Sequence, residues 1–186
     1  MKVLPTRDEA LALLKEHMKE ENLLRHCYAV ESGMRGMAQA LGEDEKLWRV
    51  AGLLHDLDYE EHPHDHPRKG MEWLTERGLP EELIHAVAAH AGERTGVGKE
   101  SKLDWALFGV DELTGLVVTT ALVMPTKRLA EVKAKSVKKK MKDKAFARAV
   151  NRQSIHDTAH ALEMDLSAFI TVVLTAMQED HEALGL

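Results

Sequence analysis

The spacing of apolar residues between Asn22 and Gly42 constrains the fold more than any other feature of this 186-residue chain. Apolar side chains recur there in steps of four, three, four, three and four residues, at Leu23, Cys27, Val30, Met34, Met37 and Leu41. Steps of this size place all of them on one face of an α-helix. We expect Asn22 to cap this helix and Gly42 to end it.

The rest of the chain repeats this helical periodicity, and no alternating pattern typical of a β-strand appears. Thr6-Arg7-Asp8-Glu9 has the sequence of a capping box, which predicts the start of a first helix. Further helices are predicted over about 44–55, 67–77, 80–90, 103–123, 127–149, 151–163 and 166–183. Prolines and glycines interrupt the pattern over 58–67 and 92–99, so loops are expected there.

The length and the apolar content of 44% fit one globular domain. We therefore predict an all-α single domain over residues 1–186, with a core at about 20–125 and C-terminal helices over 126–186 packing on it. Whether those last helices shape a binding pocket or a homodimer interface stays open.

Two observations bear on location. The single cysteine, Cys27, excludes a disulfide framework and a cysteine-rich zinc module. Pro5 interrupts the N-terminus before any apolar signal segment forms, and the most apolar stretch, Leu113 to Met124, is only 12 residues long. We therefore expect a cytoplasmic protein with no membrane partner.

Positive charge is concentrated in residues 127–152, called the basic segment below. This segment holds 11 lysines and arginines against Glu131 and Asp143, a net charge of +9, so the remainder carries −15 of the overall −6. Two interpretations stay open: a solvated helix face, or a strip that attracts a phosphorylated ligand. Duplex DNA is disfavoured as a partner, because the remainder would repel it.

Three predicted helices each place a metal-ligating side chain near an apolar face. These side chains are His26, the adjacent pair His55 and Asp56, and Asp111. A carboxylate among apolar neighbours is costly to bury unless it is paired or metal-bound. Two imidazoles and two carboxylates suit a divalent cation. For each histidine taken alone, a hydrogen-bonded core residue is the alternative.

The order of these residues resembles the HD-domain superfamily of metal-dependent phosphohydrolases. The resemblance covers roughly residues 20–125, and its most specific part is Ala-Gly-Leu-Leu-His-Asp, which ends at Asp56. It implies that one divalent metal is held by His26, His55, Asp56 and Asp111. The sequence Leu57-Asp58 departs from the His-Asp-Ile-Gly form of the HDIG subgroup, to which the small single domain is otherwise similar.

A second metal site is also suggested by resemblance. His66-Pro67-Arg68-Lys69-Gly70 and Ala88-Ala89-His90 are similar to the additional histidine motifs of two-metal members. In those members the equivalents of His66 and His90 hold a second ion, with Asp56 as the bridge. The alternative is a single metal, with both histidines binding the substrate phosphate or simply lining the pocket. The Gly-Tyr-Pro signature of cyclic-dinucleotide phosphodiesterases is absent after His90, which argues against that subgroup.

The resemblance implies hydrolysis of a nucleotide or another small phosphate ester, with metal-activated water attacking phosphorus. Around this reaction His55 and Asp56 would position the ion, and Asp58 is a candidate to orient water or protonate the leaving group. A loop-capping aspartate is the alternative for Asp58. Four cations are candidates to bind the substrate phosphate, with solvated surface side chains as the alternative: Lys69, Arg94, Lys139 and Lys140.

The sequence leaves two further points open. A non-catalytic module that binds metal and nucleotide for signalling is the alternative function, and nucleic acid is the least favoured partner because few aromatic side chains offer stacking surfaces. Imidazole and carboxylate ligands accept Mn, Fe, Co, Ni, Zn or Mg, so neither the metal nor the choice between one and two ions is determined.

Overall fold

The computed structural model describes residues 3–186, and within that range it contains α-helices, one 3₁₀ turn and no β-strand. The helices are α1 (Arg7–His17), α2 (Glu21–Leu41), α3 (Glu45–Leu54), α4 (Arg68–Glu76), α5 (Glu81–His90), α6 (Gly92–Thr95), α7 (Lys102–Leu122), α8 (Ala134–Met141), α9 (Arg152–Ala161), α10 (Leu166–Glu179) and α11 (His181–Leu184). The 3₁₀ turn, Leu129–Glu131, lies between α7 and α8. The all-α prediction is confirmed.

The long helices α2 and α7 form the centre of the molecule. Helix α2 packs against α3, α7 and α10, while α7 also packs against α5 and α9. At Gly33 of α2, an added Cβ would come within 2.6 Å of Cγ1 of Val110 on α7. Glycine therefore allows the two helices to approach closely, and this contact brings the helices of His26 and Asp111 together.

The helix ends match the prediction in part. The capping box of α1 is present, with the Glu9 carboxylate accepting a hydrogen bond from the Thr6 backbone N–H at 2.8 Å. Gly42 follows α2 in the left-handed conformation, with φ of 68°. The expected cap at Asn22 is wrong, because α2 begins earlier and the Glu20 carboxylate accepts from the N–H of Leu23 at 2.8 Å.

The prediction of one continuous helix over 127–149 is wrong. The 3₁₀ turn and α8 occupy the first part, and turns follow as far as Val150. The guanidinium of Arg152 holds these turns by donating to the carbonyl oxygens of Ala147 and Val150 at 2.8 and 2.7 Å. Lysines on neighbouring turns of a helix repel one another, so a continuous helix over this segment would be destabilised. The predicted loop at 92–99 also differs, since it begins with the short helix α6.

By length and composition alone, α7 could cross a membrane, since its apolar run is longer than the sequence pattern indicated. A buried core helix passes the same test, however. Of the 18 most apolar consecutive residues of α7, 56% are buried inside the protein. The same helix carries Asp111. Its apolar character is therefore explained by packing.

Candidate metal centre

Close packing of α3 on α2 brings the first histidines together. An added Cβ at Gly52 of α3 would come within 2.9 Å of the carbonyl oxygen of Val30 on α2, so only glycine fits at this crossing. His55 follows the last residue of α3, and its ring centroid lies 5.2 Å from that of His26. The apolar end of α3 thus delivers His55 beside the N-terminal half of α2.

Asp111 and Asp56 complete this group. Nε2 of His26 lies 3.0 Å from Oδ1 of Asp111, and Nε2 of His55 lies 3.7 Å from the same oxygen. Oδ2 of Asp56 lies 3.5 Å from Nε2 of His26 and 3.4 Å from Nε2 of His55. The structure therefore brings together all four side chains that the resemblance implies as ligands of one metal.

The second oxygen of Asp56 faces another pair of imidazoles. Its Oδ1 lies 3.4 Å from Nε2 of His66 and 3.7 Å from Nε2 of His90. Ligand atoms of His55, Asp56 and His90 all lie within 4.8 Å of one another, as do those of His26, His55 and Asp111. The Asp56 carboxylate thus stands between two histidine pairs, the place of a bridging ligand.

The far side of each buried ring supports metal ligation. Nδ1 of His55 lies 2.8 Å from the carbonyl oxygen of Gly52, and Nδ1 of His90 lies 2.5 Å from that of Val87. Because a carbonyl only accepts, both Nδ1 atoms carry hydrogen and both Nε2 atoms face the cluster. Nε2 of His55 is buried and has no hydrogen-bond partner within residues 3–186. A divalent cation would satisfy this nitrogen, so the donor set fits a metal.

The charges of the cluster shift one another's pKa values. Burial alone would raise the pKa of Asp111, but the hydrogen bond from His26 and the nearby imidazole of His55 hold it well below its usual range. Burial alone would lower the pKa of His55, but the carboxylates of Asp56 and Asp111 raise it to about 9. Without metal, a proton on Nε2 of His55 therefore compensates the two carboxylates, and a cation bound there would displace it.

Asp58 lies behind His66 and supports it. The carboxylate is fully buried, and its Oδ1 lies 2.7 Å from Nδ1 of His66, on the opposite side of the ring from Asp56. Its Oδ2 accepts a hydrogen bond from the Gly70 N–H at 2.8 Å. Both oxygens of Asp58 therefore already have hydrogen-bond partners. The carboxylate is placed to orient His66 and not, as predicted from the sequence, to orient water or protonate the leaving group.

Hydrogen bonds attach the loop that carries His66 to two other parts of the chain. The Glu60 carboxylate accepts hydrogen bonds from the N–H groups of Lys19 and Glu20 at 2.7 and 2.9 Å, which ties the loop to the start of α2. Arg94, predicted to bind phosphate, donates to the carbonyl oxygens of Pro63 and His66 at 2.8 and 3.3 Å. Its guanidinium therefore holds the loop in place.

The other three predicted phosphate ligands are lysines. Nζ of Lys69 pairs with the Glu72 carboxylate at 2.7 Å. Lys139 and Lys140 line a groove at the C-terminal end of α7, beside Thr120. Thr120 is nine residues beyond Asp111, or about 13 Å along the helix. No hydrogen bond or ion pair links any of these three lysines to the cluster within residues 3–186.

A cation that the sequence analysis missed does lie beside the cluster. Arg25 and His26 line one side of a groove of about 390 Å³, and the C-terminal half of α7 lines the other. Leu184 and Leu186 close it. In the sequence, only its position next to the predicted ligand His26 could have pointed to Arg25. The leucines of the groove lie too far along the chain to be connected with it.

Comparisons with known proteins agree with this geometry. The family model "HD domain" matches residues 23–117, a range that contains all six histidines and aspartates of the cluster. The chain is 30% identical to "Ribonuclease Y" of Desulfotalea psychrophila over 171 residues, which cover 83% of this chain and 32% of that protein.

Shorter matches connect the chain to two further proteins. "Ribonuclease Y" of Desulforudis audaxviator is 41% identical over 78 residues, covering 39% of this chain and 15% of that protein. "tRNA (cytidine(56)-2'-O)-methyltransferase" of Picrophilus torridus is 27% identical over 93 residues, covering 50% and 27%. The chain thus spans about a third or less of each relative's length. No solved structure matches it. Because the family model covers half of the chain and includes every residue of the cluster, the chain belongs to the HD-domain family.

Proposed function

We propose that this chain is a metal-dependent phosphohydrolase that acts on a nucleotide or another small phosphate ester. The observation that carries the proposal is the Asp56 carboxylate between two histidine pairs, with one oxygen toward each. His26, His55, Asp56 and Asp111 would hold one divalent cation, and His66 and His90 would hold a second one with Asp56. Such a cation lowers the pKa of bound water toward neutrality and attracts a phosphoryl oxygen.

The burial of the ligands indicates the side from which the substrate approaches. The side chain of His55 is fully buried, whereas those of His26 and Asp111 are 28% and 26% exposed. His55 therefore forms the closed back of the site, and a phosphate ester would enter between α2 and α7. The hydrogen bonds from His55 and His90 to backbone carbonyls keep their rings fixed during this approach, so little reorganisation is needed.

A second candidate function is hydrolysis of RNA phosphodiester bonds. Two of the relatives carry the name ribonuclease, which supports a substrate built from nucleotides. The basic segment adds a specific observation: none of its 11 cations forms an ion pair with another residue in the 3–186 range. The exposed cations among them are available to the phosphates of an oligonucleotide, and binding through them would weaken steeply with added salt.

A panel of substrates tests both candidates. Purified protein with Mn²⁺ is offered adenosine monophosphate (AMP), a cyclic dinucleotide and a short oligoribonucleotide, at low and high salt. Hydrolysis that disappears in His55→Ala supports the proposed enzyme, and selective, salt-sensitive cleavage of the oligoribonucleotide favours the second candidate. Nucleotide binding without any turnover contradicts both and favours a non-catalytic binding module.

A further inference from the structure

The groove beside His26 has the size and the lining of a site for a small organic group. Its volume of about 390 Å³ lies within the range of pockets that bind small ligands. Val118 and Leu122 of α7 face Leu184 and Leu186 across it, so the walls are largely apolar. His26 lines this groove and also belongs to the metal cluster, so the groove adjoins the cluster at this residue.

Gly115 lies in the wall of this groove, one helical turn beyond Asp111 on the same face of α7. Glycine inside a helix is unfavourable relative to alanine, so its presence needs a reason. Elsewhere packing gives the reason: added Cβ atoms at Gly33 and Gly36 would lie 2.6 and 2.7 Å from Val110 and Ala176. At Gly115 the nearest atom would be 3.6 Å away, an ordinary contact with Val150.

We propose that Gly115 keeps this groove open for an apolar, ring-sized group of the phosphate ester whose phosphate lies at the metal centre. The inference rests on the proposed function and specifies its substrate class, of which a nucleoside monophosphate is the model compound. Protein packing does not require glycine at position 115, because an added Cβ there makes only an ordinary contact. Gly115 does line the groove, so we expect a larger side chain there to narrow it.

Arg25 gives the rim of the groove a positive charge suited to the phosphate. Its guanidinium pairs with Glu21, but the two side chains are 42% and 74% exposed, so the pair holds it weakly. An added Cβ at Gly185 would come within 2.9 Å of Cζ of Arg25, which shows that the guanidinium packs against the backbone between the two closing leucines. A ring in the groove would thus leave its phosphate on the His26 side, toward the metal centre, with Arg25 at the rim.

Equilibrium binding tests the inference without requiring turnover. AMP, supplied as its non-hydrolysable phosphonate analogue, and inorganic phosphate are titrated by calorimetry into Mn²⁺-loaded wild type, Gly115→Ala, Gly115→Leu and Gly98→Ala. We expect Gly115→Leu to raise the dissociation constant of AMP about tenfold and Gly115→Ala to raise it less, because a filled pocket excludes the ring. The dissociation constant of inorganic phosphate is expected to stay unchanged. Gly98 is the matched control, since it is exposed and an added Cβ there meets nothing within 4 Å.

Separate measurements control for folding and for the proposed function. Alanine is a better helix former than glycine, so the melting temperature of Gly115→Ala should be at least that of wild type. Equal AMP affinity in wild type and both Gly115 variants would overturn the inference, as would a wild type that binds AMP no more tightly than inorganic phosphate. AMP affinity that depends on Gly115 in a protein that hydrolyses no ester supports the groove and overturns the proposed function.

Discussion

The metal cluster and the basic segment are both rich in charge, but they treat that charge in opposite ways. In the cluster, Asp56 and Asp111 are largely buried, with side chains 14% and 26% exposed, and each carboxylate lies within 4 Å of at least two imidazoles. In the basic segment, eight of the 11 cations are exposed and none forms an ion pair within the described chain. Enclosed charges require defined partners, whereas surface charges require only water.

This contrast explains where sequence interpretation succeeded. A buried charge among apolar residues restricts what surrounds it, so the apolar neighbours marked the candidate residues, and the resemblance to the HD-domain superfamily implied that they act together. A solvated charge restricts little, so the lysines of the basic segment did not reveal that α8 ends at Met141. The contrast also predicts that substitutions in the cluster have large effects and substitutions in the basic segment have small ones.

The largest effect is expected from Asp56→Ala. Its carboxylate faces four imidazoles, so its removal should lower metal affinity by at least about 100-fold and abolish hydrolysis. Metal content is measured by mass spectrometry and helicity by circular dichroism, which should change little. Asp65→Ala is the matched control, an exposed aspartate in the same loop. A metal content in Asp56→Ala equal to that of wild type would contradict the assignment of Asp56 as a metal ligand.

Replacing His66 and His90 together by alanine should lower the metal content from about two ions to about one per chain. The reason is that both face Oδ1 of Asp56, on the side away from His26. His64→Ala is the control, because His64 is an exposed neighbour in the same loop. One ion in both proteins would show that this half of the cluster holds no metal, and two ions in both would show that His66 and His90 are not ligands.

A smaller, graded effect is expected from pH. In the metal-free protein, burial opposes but the neighbouring carboxylates raise the pKa of His55 to about 9. Below that pH His55 carries a proton that the cation must displace, so the apparent Mn²⁺ affinity should fall about tenfold for each unit between pH 9 and pH 7. Calorimetric titrations in this interval measure the slope. A flat profile would mean that His55 is not a ligand.

The smallest effect is expected from charge reversal at Lys139 and Lys140. Because these lysines line a groove at the far end of α7, reversal to glutamate should leave the melting temperature and the KM for AMP nearly unchanged. The KM for an oligoribonucleotide should rise severalfold if RNA binds the basic segment, with a weaker salt dependence. A clear increase in the KM for AMP would place the two lysines at the substrate after all.

The sequence by itself determined the helical architecture and identified the histidines and aspartates that meet in the cluster. Apolar periodicity is local, and the motif that ends at Asp56 lies within one helix and its end, so both can be read from adjacent residues. The tertiary structure alone decided the support that Asp58 gives to His66 and the groove in which Gly115 faces Leu184. These features depend on distances between segments far apart in the chain, and such distances follow from how whole helices pack.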